Sequence, residues 1–295
     1  MATTTSERKS FFKRISNGKD NEEQTEMSFF DHLEELRWHI IRSIIAWLVA
    51  VISIFVYIDW VYDHVILAPA DEKFVTYGAL CKFGNWLHLG NAFCMPPVKI
   101  SFQVTAVNGT FTSAITIAMI GGLIAAFPYI FWEVWRFIKP ALSPKERKYG
   151  QGSIFYVSLC FFTGALFGYY LLAPFTFNFL ASFTLGKSGL IQYRPAINDY
   201  IDSLTNLILG CGIAFELPVL SYVLAKLGIV TGSFLKQHFK FAFVIILVVS
   251  AIITPSPDWT SQFLVAIPLC LLYWVSILLA GSVDRKRAKE EKEWS

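Results

Sequence analysis

Six long apolar stretches, separated by turn-forming or basic segments, constrain this chain more than any motif in it. They lie near Trp38–Asp59, Thr110–Ile138, Ser153–Phe177, Ser203–Ala225, Phe241–Thr254 and Trp259–Ala280. A helix rises about 1.5 Å per residue, so about 20 apolar residues cross a hydrocarbon core about 30 Å thick. Composition agrees: 55% of residues are hydrophobic and 16% charged, with a mean hydropathy of +0.50. Backbone amides in lipid must be satisfied within the segment, which leaves helix as the form of such runs. The expectation is an all-α polytopic membrane protein with six transmembrane helices.

The fifth run is short. Phe241–Thr254 holds 14 residues, about 21 Å of helix. It still counts as a span because Thr254-Pro255-Ser256-Pro257-Asp258 is strong turn chemistry, and an irregular backbone facing lipid at mid-depth would leave amides unpaired. The turn therefore belongs at an interface, where the helix stops early or the bilayer thins.

Lys and Arg counts predict the orientation. Segments 1–37, 139–152, 226–240 and 281–295 carry six, four, three and five basic residues, whereas 60–109, 178–202 and 255–258 carry three, two and none. Both termini are expected in the cytoplasm. Residues 1–27 mix Thr, Ser, Lys, Asn and Glu without periodicity and read as a disordered tail. Residues 28–280 form the membrane domain, and 281–295 a solvated charged tail whose basic half can touch anionic lipid. Nothing in the composition suggests nucleic acid binding.

Three constellations place acids at or within the membrane. The first is Ser28-Phe-Phe-Asp31-His32-Leu33-Glu34-Glu35-Leu36-Arg37, whose Phe29, Leu33, Leu36 and Ile40 share a helical face. It predicts an amphipathic helix running along the surface into the first span. Locally, Glu34 and Glu35 need do no more than solvate this helix and pair with Arg37 and His39.

The second constellation closes the second span with Trp132-Glu133-Val134-Trp135-Arg136-Phe137-Ile138-Lys139-Pro140, continuing through Leu142 and Pro144 to Glu146-Arg147. The aromatic residues suit an interfacial belt, and Glu133 with Arg136 reads as an ordinary i,i+3 pair. Glu146 differs, since Pro140 and Pro144 stiffen the loop that presents it.

The third lies in Ser203–Ala225, where Glu216 is the one charged residue. An ionisable group there is a functional candidate by default. Pro218 removes the N–H that would bond the Ala214 carbonyl, and Gly212, one turn before Glu216, leaves room for a helix, water or peptide to approach.

Cysteines divide by place: Cys160, Cys211 and Cys270 fall within spans, while Cys81 and Cys94 share the first outside loop and could form a disulfide. No HExxH, GxSxG, CxxC or P-loop pattern is present, and the five histidines are not spaced as metal ligands. An enzyme, a metal site or a bound cofactor is not expected.

Together, H-L-x-E-L-R before the first span, F-I-x-P-A-L with E-R in the next loop, F-E-x-P in the fourth span and T-P-x-x-D-x-x-S-Q before the sixth resemble the TatC family, the receptor subunit of the twin-arginine protein translocase. The resemblance runs from about Phe29 to Ala280. It implies a curved, cup-like wall of helices in the bacterial inner membrane, exporting folded proteins on the protonmotive force. The implied partners are twin-arginine signal peptides, TatA-type and TatB-type single-span proteins, and further copies of the chain in a homo-oligomeric receptor complex.

Carried over by motif, Glu35 and Glu146 would accept the two arginines. Phe137, Pro140 and Leu142 would shape the adjoining apolar surface, and Glu216 with Gln262 would form a polar patch within the wall. A guanidinium fork suits a carboxylate, which can accept it bidentately. The sequence departs from the family where Tyr273 is followed by Trp274 rather than an acid, and around Asp71–Cys94, where the outside loop is longer. Asp258 is either a turn-forming acid or a partner contact. The rival reading is a proton-coupled secondary transporter using Glu216, although the two halves show no matched broken helices of the kind inverted repeats produce.

Overall fold

A computed structural model describes residues 29–71, 73–86, 88, 100–139, 152–183, 193–254 and 259–294. In chain order the principal helices are α1 Phe29–Val56, α2 Val75–Trp86, α3 Gly109–Ile138, α4 Ser153–Phe167, α5 Ala173–Ser182, α6 Ile197–Ala214, α7 Leu217–Leu227, α8 Gly232–Gln237, α9 Phe239–Ile253 and α10 Trp259–Trp294. Five helical stretches are long and apolar enough to cross a membrane: Leu33–Val56, Gly109–Ile138, Ile154–Ser182, Ile197–Leu227 and Ser261–Lys289. Helix α9 is the shorter sixth, at 15 residues. The protein is an all-α, multi-pass membrane protein, and α9 keeps the brevity that its sequence foretells.

Prolines explain the breaks. Pro174 has no N–H for the Tyr170 carbonyl, so the chain widens between α4 and α5 and the Ala173 N–H reaches back to Gly168 O. Pro218 acts likewise between α6 and α7. The Glu216 N–H turns to Ile213 O at 3.0 Å, and a new helix starts at Leu217.

Helix α6 is the centre of the bundle. Its Ile201, Leu204 and Leu207 are fully buried, packed with Leu172 and Phe177 from the α4–α5 arm, Ile246 and Ile253 of α9, and Val265 and Leu269 of α10. Lipid competes equally for apolar side chains, so such packing depends on close backbone approach. Gly164 of α4 lies against the Cys211 carbonyl, and Gly122 of α3 against the backbone of Val51 in α1. Helix α1 is peripheral: Val49, Ile52 and Val56 are 59%, 63% and 69% exposed, forming a surface for lipid.

The connection after α1 is tied down at the end away from the termini. Tyr200 donates to Ile66 O at 2.8 Å and Tyr169 to Val65 O at 2.7 Å, while Phe74 stacks on Tyr170.

Two expectations change. The segment 29–37 is not a separate surface helix, because α1 runs unbroken from Phe29 to Val56 with no Pro or Gly to turn it. The stretch after Ala280 continues α10 as helix through Trp294. Its Asp284 accepts from the Gly232 N–H at 2.7 Å, and Arg287 donates to Lys226 O at 3.0 Å, so these charges dock the turn between α7 and α8.

Candidate functional site

At the termini end of the bundle, α1 begins where α3 finishes. The two helices run antiparallel, and Gly121 and Gly122 of α3 face Ile54 and Val51 of α1 near the far end. Near the termini, His39 Nδ1 stands 2.5 Å from Glu133 Oε2, with the two side chains 8% and 1% exposed. A carboxylate so deeply buried costs several kcal/mol unless paired. Here it holds a second partner, the Arg136 guanidinium at 3.7 Å, which also lies over the Trp132 ring.

The local reading of both acids is thereby revised. Glu133 is more than one half of an i,i+3 pair, since its closest partner is on another helix. His39 does not serve Glu35. Glu34 does pair with Arg37, at 3.4 Å on an exposed face.

Glu35 is half-buried, and its Oε2 is buried without a hydrogen-bond partner. One helical turn separates it from His39, and one turn in the opposite sense along α3 separates Phe137 from Glu133. The antiparallel register therefore sets Glu35 and Phe137 side by side. The edge contact between the Phe137 and His39 rings, centroids 6.3 Å apart, fits that register. Two of the expected site residues thus share one end of one helix pair. Pro140, Leu142 and Glu146, expected beside them, lie outside the described residues, as do Asp258 and Cys94.

Glu216 sits at the α6–α7 break, and its Oε1 is buried without a hydrogen-bond partner. The open approach expected at Gly212 is closed. A Cβ there would lie 2.8 Å from the Phe161 ring, which is itself fully buried and stacked on Phe127. The small residue admits an aromatic ring of α4 rather than water or a peptide. Gln262 donates its side-chain amide to Leu247 O at 2.9 Å, joining α10 to short α9. No hydrogen bond links it to Glu216.

No cluster of His, Cys, Asp or Glu arranged to hold a metal occurs among the described residues. Sequence reasoning missed His39 and Glu133 as partners. The available signal was weak: a histidine on the buried face of α1, and an acid near the end of an apolar run.

The family model for the Sec-independent protein translocase protein (TatC) matches residues 31–268. TatC of Blattabacterium sp. subsp. Periplaneta americana is 38% identical over 266 residues, covering 90% of this chain and 99% of that protein. TatC of Deinococcus radiodurans is 33% identical over 264 residues, covering 90% and 89%. A crystal structure of the twin-arginine translocase receptor TatC superposes with a TM-score of 0.67 at 32% identity, covering 86% of this chain and 99% of that one. With the ordered motifs, the helix count and this structural likeness in agreement, the chain belongs to the TatC family of Sec-independent protein translocase proteins.

Proposed function

We propose that this chain is the signal-peptide receptor of its translocase, taking the twin-arginine motif of folded cargo at the end of the bundle where α1 begins and α3 finishes. The observation that carries this reading is Glu35. An unpartnered, buried carboxylate oxygen at an entrance, beside Phe137, is an acceptor waiting for a donor. A guanidinium fills that need with a rigid donor fork, and an apolar neighbour accommodates the hydrophobic stretch that follows it in a signal peptide. Glu146 supplies the second acceptor from the loop after α3, and Pro140 and Leu142 extend the apolar surface.

On this reading both termini are cytoplasmic, as the basic residues imply, and the chain sits in a bacterial inner membrane. Its partners are TatA-type and TatB-type single-span proteins and further copies of itself, and transport rather than catalysis is its role. Glu216 and Gln262 contribute polarity to the wall that cargo passes, with α9 thinning the barrier nearby. Outside the membrane, Cys81 and Cys94 staple the longer loop, a pairing supported by the disulfide state of Cys81.

Photo-crosslinking of membranes with an Arg-Arg signal peptide and an otherwise identical Lys-Lys peptide tests the proposal. Preferential capture of the Arg-Arg peptide, reduced in Glu35→Gln and Glu146→Gln, is expected. Equal capture of both peptides by the wild type removes the receptor reading.

A further inference from the structure

The His39–Glu133 pair has no assigned part in peptide recognition, yet it lies one turn deeper than Glu35 on the same helix. We propose that it is a positioning clasp for the twin-arginine site, fixing α1 on α3 so that the Glu35 carboxylate is held where a guanidinium fork can meet it. The inference rests on Glu35 serving as an arginine acceptor.

Three observations support it. The pair joins two helices through residues 94 apart in sequence, and is nearly excluded from solvent on both sides. Apolar residues of similar size would hold two helices together as well or better, so a buried ionic pair is better suited to specifying register than to adding stability. Farther along the pair, α1 and α3 meet through Gly121 and Gly122 against Ile54 and the backbone of Val51, and Trp47 donates to Met119 O at 3.0 Å, so that part of the seam has its own tie and the clasp serves the end that carries Glu35. Among the described residues, the clasp supplies the one directional bond between charged side chains of α1 and α3.

Glu35 Oε2 has no hydrogen bond to set its position. The placement of Glu35 beside Phe137 follows from the helix register, which the clasp holds at this end of the pair as the Trp47–Met119 hydrogen bond holds it farther along. Bidentate arginine recognition is sensitive to such placement, whereas a lysine ammonium, a point charge on a flexible stem, is less so. Loss of the clasp should therefore erode discrimination between arginine and lysine more than it erodes binding.

The test uses the full-length protein purified in detergent, with fluorescent Arg-Arg and Lys-Lys signal peptides, and reads the ratio of their affinities. The variants are Glu35→Gln, His39→Leu, His39→Asn and the double His39→Leu/Glu133→Leu, with melting measured for each. Asn presents an amide N–H close to where the imidazole Nδ1 stands, and the double variant leaves no unpaired buried charge.

The expected result is an affinity ratio lowered by about tenfold in His39→Leu and in the double variant, with His39→Asn near the wild type and the double variant still folded. A double variant that keeps the wild-type ratio, or a His39→Asn protein no better than His39→Leu, overturns the clasp while leaving the Glu35 reading intact. If Glu35→Gln also keeps the wild-type ratio, the Glu35 reading itself falls.

Discussion

Gly164 of α4 faces Cys211 of α6 so closely that a Cβ on the glycine would lie 2.5 Å from the cysteine carbonyl and 2.7 Å from Phe215 Cβ. Backbone is the obstacle, so no rotamer change relieves the clash. Phe215 precedes Glu216 at the helix break, which makes this contact the support on which the intramembrane acid stands.

Gly164→Ala should therefore destabilise the protein by about 1–3 kcal/mol, the usual cost of overpacking. Gly78→Ala, where nothing lies within 4 Å of the added methyl, is the control and should be neutral or stabilising. Melting of the two purified variants in detergent, side by side, checks this. Equal melting temperatures would show that α4 and α6 are not in backbone contact.

Legibility in the sequence followed the range of the interactions. Spans were readable because burial in lipid is written along a single segment, and the short α9 was readable from Pro255 and Pro257 after it. The α6–α7 break was readable because Pro218 removes one particular hydrogen bond. His39 and Glu133 were not readable as a pair, since nothing local records which residues of an antiparallel helix stand opposite each other. Gly212 failed for a related reason: a small residue announces a close neighbour without saying whether it is ring, water or peptide. The motifs nevertheless located Glu35 and Phe137 at one end of the bundle, because each sits beside a helix terminus that the sequence defines well.

Gln262 holds α10 to α9 through Leu247 O. That carbonyl belongs to a short helix with few other polar ties, and an interhelical hydrogen bond in a membrane contributes about 0.6–2 kcal/mol. Gln262→Leu should loosen α9 selectively. Faster hydrogen exchange across Phe239–Ile253, with α6 unchanged, is the expected outcome; uniform exchange rates would show that Gln262 does not tether α9.

Gly228 ends α7 with φ 76°, a left-handed cap that favours glycine, and Arg287 reaches across to bond Lys226 O in the same turn. Asp284 caps the following helix by accepting from Gly232 N–H. Gly228→Ala should cost about 1–2 kcal/mol through backbone strain, and its methyl, 2.5 Å from the Arg287 guanidinium, should also push that side chain aside. Asp284→Ala should instead free the turn between α7 and α8 without that strain, seen as new protease cleavage near Gly228–Thr231. Resistance equal to the wild type in Asp284→Ala would mean that the α10 extension is not docked there.

Glu216 Oε1 is buried and has no hydrogen-bond partner, in a helix whose own carbonyl at Ala214 has lost its donor to Pro218. An orphaned polar group costs free energy that a well-fitting apolar side chain does not. If the carboxylate is kept for the wall's polarity rather than for folding, Glu216→Leu should raise stability by about 1 kcal/mol, while Glu216→Gln, which keeps a polar group, should change it less. The same Leu substitution should slow export of a twin-arginine reporter and protect a cysteine at position 213 from water-soluble maleimide, because the exposed Ile213 lies three residues before Glu216 and, on the proposed reading, the carboxylate draws water to that face. A lower melting temperature in Glu216→Leu, with unchanged labelling at 213, would mean that Glu216 is a structural ion with a partner in the folded protein, and that the barrier is weakened by some other element of the wall.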